Sequence, residues 1–167
     1  WLGLLERENP SRALSVTIPP EGSTLEFLVE NMGRTNYGPE LADRKGLTGG
    51  VILGQQYLFG WTNRPLPLDD LTGLHFSPAK PARFPAFFRG SFDVEEAADT
   101  YLLLPGWTKG VAWINGFNLG RYWKRGPQKS LFIPAPLLKP GHNEITIFEL
   151  HAQGKPFVEL RAQPDLG

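Results

Sequence analysis

Apolar and polar residues alternate along this chain with the two-residue period of a β-strand, in short runs broken by glycine and proline. Residues 13–18 set Leu14, Val16 and Ile18 on one face before Pro19-Pro20-Glu21-Gly22 turns the chain. Residues 25–30 repeat the pattern with Leu25, Phe27 and Val29 inward, as in a half-buried antiparallel strand. Residues 1–7 read as the end of a strand that begins upstream, and 50–54 and 57–61 as two further short strands. Later runs at 86–92, 100–104, 130–133, 144–150 and 157–161 predict more strands, while 136–141 holds at most one helical turn.

The strongest local signal is Asn115-Gly116 between two apolar runs, because a type I′ hairpin turn needs positive φ at both central positions. A two-residue loop sets Ile114 opposite Phe117, Trp113 opposite Asn118, Ala112 opposite Leu119 and Val111 opposite Gly120. One face then holds Ala112, Ile114, Phe117 and Leu119, all apolar and expected in the core. The other holds Val111, Trp113, Asn118, Gly120 and Tyr122, where an indole beside an amide suits a neighbouring domain or a flat sugar ring.

Between 62 and 85 the prolines at 65, 67, 78, 81 and 85 argue against regular structure and predict an extended linker. The expected organisation is a partial first sandwich at 1–64, a Pro-rich linker at 65–85 and a second sandwich or jelly roll at 86–167. The later block has about seven strands, a full sandwich, whereas the first has about five, with its missing strands expected upstream. The fold class is therefore all-β, two β-sandwich units with the first incomplete at its N-terminus.

Composition narrows the chemistry. Nineteen glycines and sixteen prolines fit frequent turns, and the absence of cysteine excludes disulfides and thiolate metal sites. Lys plus Arg and Asp plus Glu both number 17, so no basic footprint points to nucleic acid or an anionic membrane. His75, His142 and His151 lack metal-ligand spacing, and no apolar run approaches the roughly 18 residues of a membrane span. Neither metal nor cofactor is expected. Glu144 and Glu149 fall on opposite faces of one strand, Glu95 and Glu96 sit in a turn, and no nucleophile elbow accompanies the histidines. No catalytic residue is assigned.

Two longer motifs carry a resemblance. Leu28-Val29-Glu30-Asn31-Met32-Gly33-Arg34-Thr35-Asn36-Tyr37-Gly38, followed by Lys45-Gly46-Leu47, resembles the first β-domain of family 35 glycoside hydrolases, the lysosomal-type β-galactosidases and their bacterial relatives. Pro105-Gly106-Trp107-Thr108-Lys109-Gly110, then 115–123 and Gly126-Pro127-Gln128, resembles their last β-domain, and Asn143-Glu144-Ile145 with Phe148-Glu149 continues the likeness. The resemblance implies a (β/α)₈ barrel followed by two galactose-binding-like β-domains, the barrel carrying both glutamates of a retaining mechanism. No alternating βα pattern exists in this sequence. The chain is expected to be the non-catalytic C-terminal portion of such an enzyme, docking on the barrel; the alternative is a free-standing carbohydrate-binding module.

The resemblance also nominates residues. Glu30, Asn31, Arg34, Asn36 and Tyr37 either order their own loop or, for Arg34, Asn36 and Tyr37, reach the substrate side of the barrel. Trp113, Asn118 and Tyr122 are candidates for a sugar or inter-domain surface; Trp107 and Trp123 share that choice between stacking on sugar and packing. Lys109, Arg121, Lys124, Arg125 and Lys129 form a basic group around the hairpin, either solvated or, for Arg121, paired with a barrel carboxylate. Expected partners are the catalytic barrel, joined or cleaved, a homo-oligomer and a galactoside, with neither nucleic acid nor membrane. The compartment stays open: lysosomal or secreted in an animal, cytoplasmic or extracytoplasmic in a bacterium.

Overall fold

Backbone hydrogen bonds join most of the predicted later strands into two antiparallel sheets. The computed structural model describes residues 1–7, 13–31, 33, 35–77, 84–151 and 157–167. Within them the chain divides into two units, Trp1–Asn63 and Arg64–Gly167. The second contains β3 (Ala86–Val94), β4 (Thr100–Leu103), β5 (Lys109–Ile114), β6 (Phe117–Trp123), β7 (Ser130–Ile133), β8 (Gly141–Glu149) and β9 (Glu159–Arg161). The short strands β1 (Ile52–Leu53) and β2 (Gln56–Tyr57) belong to the first unit.

One sheet of the second unit has the order β3-β8-β5-β6, the other β7-β4-β9. β3 and β8 pair along their whole length, from Ala86 opposite Glu149 to Val94 opposite Gly141. The two sheets close over one core. Leu102, Leu131 and Ile133 come from the three-stranded sheet, and Ala112, Ile114, Tyr122, Ile145 and Ile147 from the other, with Trp107 and Leu138 from the connections. Phe88, Leu119 and Leu160 pack around them. Each fully buried aliphatic side chain contributes about 1.5–3 kcal/mol, so this core outweighs any polar contact in the unit. The one predicted helical turn is a 3₁₀ turn at Ala135–Leu137.

At the hairpin, Asn115 has φ 50° and Gly116 φ 83°, the left-handed pair that the Asn-Gly signal predicts. Ile114 faces Phe117 and Trp113 faces Asn118. The expected register then fails. Ala112 pairs with Gly120 rather than Leu119, and Val111 with Arg121 rather than Gly120. Leu119 is the extra residue of a β-bulge, held where Asn118 Oδ1 accepts the Gly120 N–H at 2.8 Å, with Gly120 at φ 111°. One inserted residue exchanges the two faces for everything beyond it. Tyr122, expected beside Trp113, instead lies opposite Gly110 and joins the core. Phe117, expected in the core, is 54% exposed at the turn end of the edge strand.

Residues 65–77, expected as linker, cluster with the second unit and form no strand. Phe76 lies under the Arg89 guanidinium, 4.1 Å from its ring centroid, and the side chain of Asp70 accepts from the backbone N–H and hydroxyl of Thr72. Residues 78–83 of that stretch lie outside the described residues. In the first unit, β1 and β2 pair Ile52 with Tyr57 and Leu53 with Gln56, and Pro39–Ala42 forms a 3₁₀ turn. The strands expected at 13–18 and 25–30 carry no ladder pairing. Alternation marks a segment able to be a strand, but a ladder also needs a neighbour. Without one, Leu14, Ile18, Phe27 and Val29 stay exposed. Phe27 packs on Trp61 with ring centroids 5.4 Å apart.

Candidate functional site

The nominated residues do not gather into one site. In the first unit, Asn36 and Tyr37 are exposed at the start of the Pro39–Ala42 turn, Tyr37 by 88%, and Gly38 at φ 90° sets up that turn. Arg34 lies outside the described residues. Arg7 and Lys45 both bind Asp43 in this unit, Lys45 at 2.9 Å. Their hydrogen bonds, that of Arg7 foremost, hold the Asp43 carboxyl well below the usual carboxylate range.

In the second unit the expected trio splits. Trp113 is 1% exposed, its ring 6.2 Å from that of Phe87, which stacks in turn on Phe148 at 4.5 Å. It forms no open platform. Asn118 is exposed, with its amide oxygen engaged on the bulge. Tyr122 sits on the opposite face, 6% exposed, with its hydroxyl donating toward Glu149 at 3.1 Å. These three residues therefore share no surface, because the bulge separates Tyr122 from Trp113.

Tyr122 leads to a buried polar network that the sequence reading passed over. Glu149 is fully buried at the end of β8. Its carboxylate accepts from the Thr108 backbone N–H at 2.8 Å, the Thr108 hydroxyl, the Lys109 N–H at 3.2 Å, the His151 N–H at 2.9 Å and Tyr122. Five donors compensate the desolvation that a lone buried carboxylate would suffer. Burial first, then the charge and hydrogen bond of Glu149, push the Tyr122 phenol above its ordinary value. Gly110 makes the approach possible: a Cβ there would lie 1.7 Å from the Phe148 carbonyl oxygen and 2.7 Å from the Tyr122 hydroxyl. The available signal was glutamate ending an apolar strand.

A second network locks the hairpin turn. Asn115 Nδ2 donates to the Leu137 carbonyl and to Asn143 Oδ1, both at 2.8 Å, while its Oδ1 accepts the Glu144 N–H at 2.9 Å. Asn143, fully buried, returns hydrogen bonds to Lys139 and Gly141. Asn115 thus supplies both the left-handed backbone and the amide that ties β5–β6 to the entry of β8. Both networks do structural work: their polar atoms are turned to one another. Around Trp123 the chemistry is different. Lys109 Nζ, the Arg125 guanidinium and the Arg121 guanidinium lie 4.8, 5.1 and 6.0 Å from its ring. The described residues hold no group of three potential metal ligands, and none of their helices is long and apolar enough to cross a membrane.

Comparison with known proteins accounts for this combination of a sandwich with internally satisfied polar groups. Residues 1–67 match the family described as β-galactosidase, first all-beta domain, and residues 85–143 match β-galactosidase, galactose-binding domain. The chain is 41% identical to β-galactosidase 17 of Arabidopsis thaliana over 96% of its length, covering 26% of that protein. It is 40% identical to the β-galactosidase of Homo sapiens over 89% of its length, covering 25%. Against β-galactosidase 1 of Dictyostelium discoideum the identity is 42% over 75% of the chain and 20% of the relative. The chain thus spans about a quarter of the length of the first two relatives. By these matches and by its antiparallel sheets, the chain belongs to the β-domains of the β-galactosidase family, its first all-β domain followed by its galactose-binding domain.

Proposed function

We propose that this chain is a non-catalytic portion of a β-galactosidase and that it docks on and buttresses the enzyme's catalytic domain. The observation that carries the reading is the first unit's apolar surface: Phe59 is 86% exposed, and Trp1, Leu47, Ile52 and Tyr57 are each more than half exposed. At about 25 cal/mol per Å² of apolar area removed from water, covering such side chains would drive association. The carboxylates support the same reading. Glu149 is spent on its five donors and Glu144 pairs with Arg89 at 3.3 Å, so neither stands ready as acid or nucleophile.

Two measurements test this. The purified chain should not hydrolyse a chromogenic β-galactoside; robust turnover would overturn the reading. In the full-length parent enzyme, amides of residues 13–31 and 50–61 should gain hydrogen-exchange protection relative to the isolated chain, and unchanged exchange would remove docking as their role. Asn36 and Tyr37 we place on the substrate side of that assembly. Tyr37 is too exposed to stabilise its own unit, so Tyr37→Ala in the parent enzyme should lower kcat/KM about tenfold, equivalent to 1.4 kcal/mol, with an unchanged Tm. Equal kinetics would return the loop to a structural role.

A further inference from the structure

Asn115 is the chain's only asparagine followed by glycine. That dipeptide carries a latent reaction, because glycine has no side chain to keep its backbone nitrogen away from the carbon of the preceding amide. The two reacting groups lie in opposite surroundings. Gly116 is exposed at the tip of the hairpin, and a Cβ built on it would meet no atom within 4 Å. The Asn115 amide is held from both ends: Nδ2 donates to the Leu137 carbonyl and to Asn143 Oδ1, and Oδ1 accepts the Glu144 N–H. The Asn115 backbone N–H is fixed as well, on the Glu144 carbonyl at 2.9 Å. Ring closure needs the side-chain carbon to swing onto the Gly116 nitrogen, so the amide must first leave these partners.

We propose that Asn115-Gly116 is a self-modification site that the folded hairpin holds shut, so that deamidation at Asn115 marks chains that have opened and keeps them from closing again. In an open chain the Gly116 nitrogen gives its proton to solvent base and attacks Asn115 Cγ. The new N–Cγ bond closes a succinimide ring, the Cγ–Nδ2 bond breaks, and Nδ2 leaves as ammonia after taking a proton from water. Water then opens the ring. Cleavage of the new N–Cγ bond leaves aspartate; cleavage between the same nitrogen and the Asn115 main-chain carbonyl carbon leaves isoaspartate. The balance is one water consumed and one ammonia released. Neither product can rebuild the lock. Aspartate brings a carboxylate, which only accepts, against the Leu137 carbonyl and Asn143 Oδ1, two acceptors that previously met a donor. Isoaspartate lengthens the two-residue turn by one backbone carbon, and the pairing of Ile114 with Phe117 depends on that turn. The pair that directs the hairpin thus also makes its opening chemically irreversible.

The test is incubation of the full 167-residue chain at mildly alkaline pH, in buffer and in guanidinium chloride above its unfolding midpoint, followed by tryptic mapping of Gly110–Arg121. Conversion at Asn115 should run at least about a hundredfold faster in denaturant, the ratio set by the rarity of opening in a native sheet. Asn118 in the same peptide, followed by Leu119, should convert far more slowly in denaturant than Asn115. Converted chains, separated by ion exchange and returned to buffer, should lack hydrogen-exchange protection in β5 and β8, which unconverted chains from the same sample regain. Gly116→Ala, read in denaturant where its folding plays no part, should slow conversion severalfold. Equal conversion rates in the folded and unfolded chain would overturn the proposal. So would converted chains that regain protection of β5 and β8, or a Gly116→Ala variant that converts as fast as the native sequence.

Discussion

Tyr122 shows how one side chain can be tied to solution conditions through a buried partner. Its phenol is raised above the ordinary value of 10.0 by burial and by Glu149. The folded state therefore keeps its proton at pH values where the unfolded chain releases it. Stability from this residue is complete below about pH 10 and declines as pH rises above it, because unfolding then liberates a proton. Denaturant midpoints measured from pH 8 to 11 should fall along the alkaline limb for the native chain. Tyr122→Phe should flatten the contribution of this group. It should also lower stability at pH 8 by about 1–3 kcal/mol, since Glu149 would lose one of its donors. An alkaline limb unaltered by the substitution would show that another group sets it.

At the scale of elements, the hairpin separates backbone preference from side-chain bonding at one position. Asn115→Gly keeps the positive φ and removes the amide, whereas Asn115→Ala removes both. Urea unfolding should rank them native, Gly, Ala. The Gly variant should lose about 1–3 kcal/mol from the orphaned Asn143 and Glu144 groups, and the Ala variant about 1 kcal/mol more from left-handed strain. Equal losses would assign the whole effect to the amide. The turn itself was legible in the sequence, because Asn-Gly has few other uses between apolar runs. The bulge was not, since Leu119 has the same apolar character as its neighbours and only the tertiary fit of Tyr122 over Gly110 distinguishes the registers. Strands β4 and β7 could be read from composition because each finds partners inside the unit. The runs at 13–18 and 25–30 have the same alternation but no ladder partner, which pattern alone does not reveal. Glu149 was legible as a carboxylate on a strand; its donors come from residues 108, 109, 122 and 151, which only folding assembles.

For the whole molecule, the contrast between the units gives an expectation about local opening. Amides of β5 and β8 lie in the middle of a four-stranded sheet over an apolar core, whereas most of the described residues from 13 to 63 lack ladder hydrogen bonds. In the isolated chain, hydrogen exchange should be complete within the first unit while β5 and β8 remain protected, the slow amides reporting the unfolding free energy of the second unit. Uniform protection across both units would contradict this division. The bulge at Leu119 adds a consequence for how the chain can change length. Loss of Leu119 would make the β5–β6 ladder regular with Tyr122 still opposite Gly110, whereas one further residue between Asn118 and Tyr122 would send Tyr122 outward, leaving a void beside Gly110 and a carboxylate short of a donor. Insertions should therefore collect in the exposed connections and avoid residues 118–122, a constraint imposed by a residue whose own side chain is only half-buried.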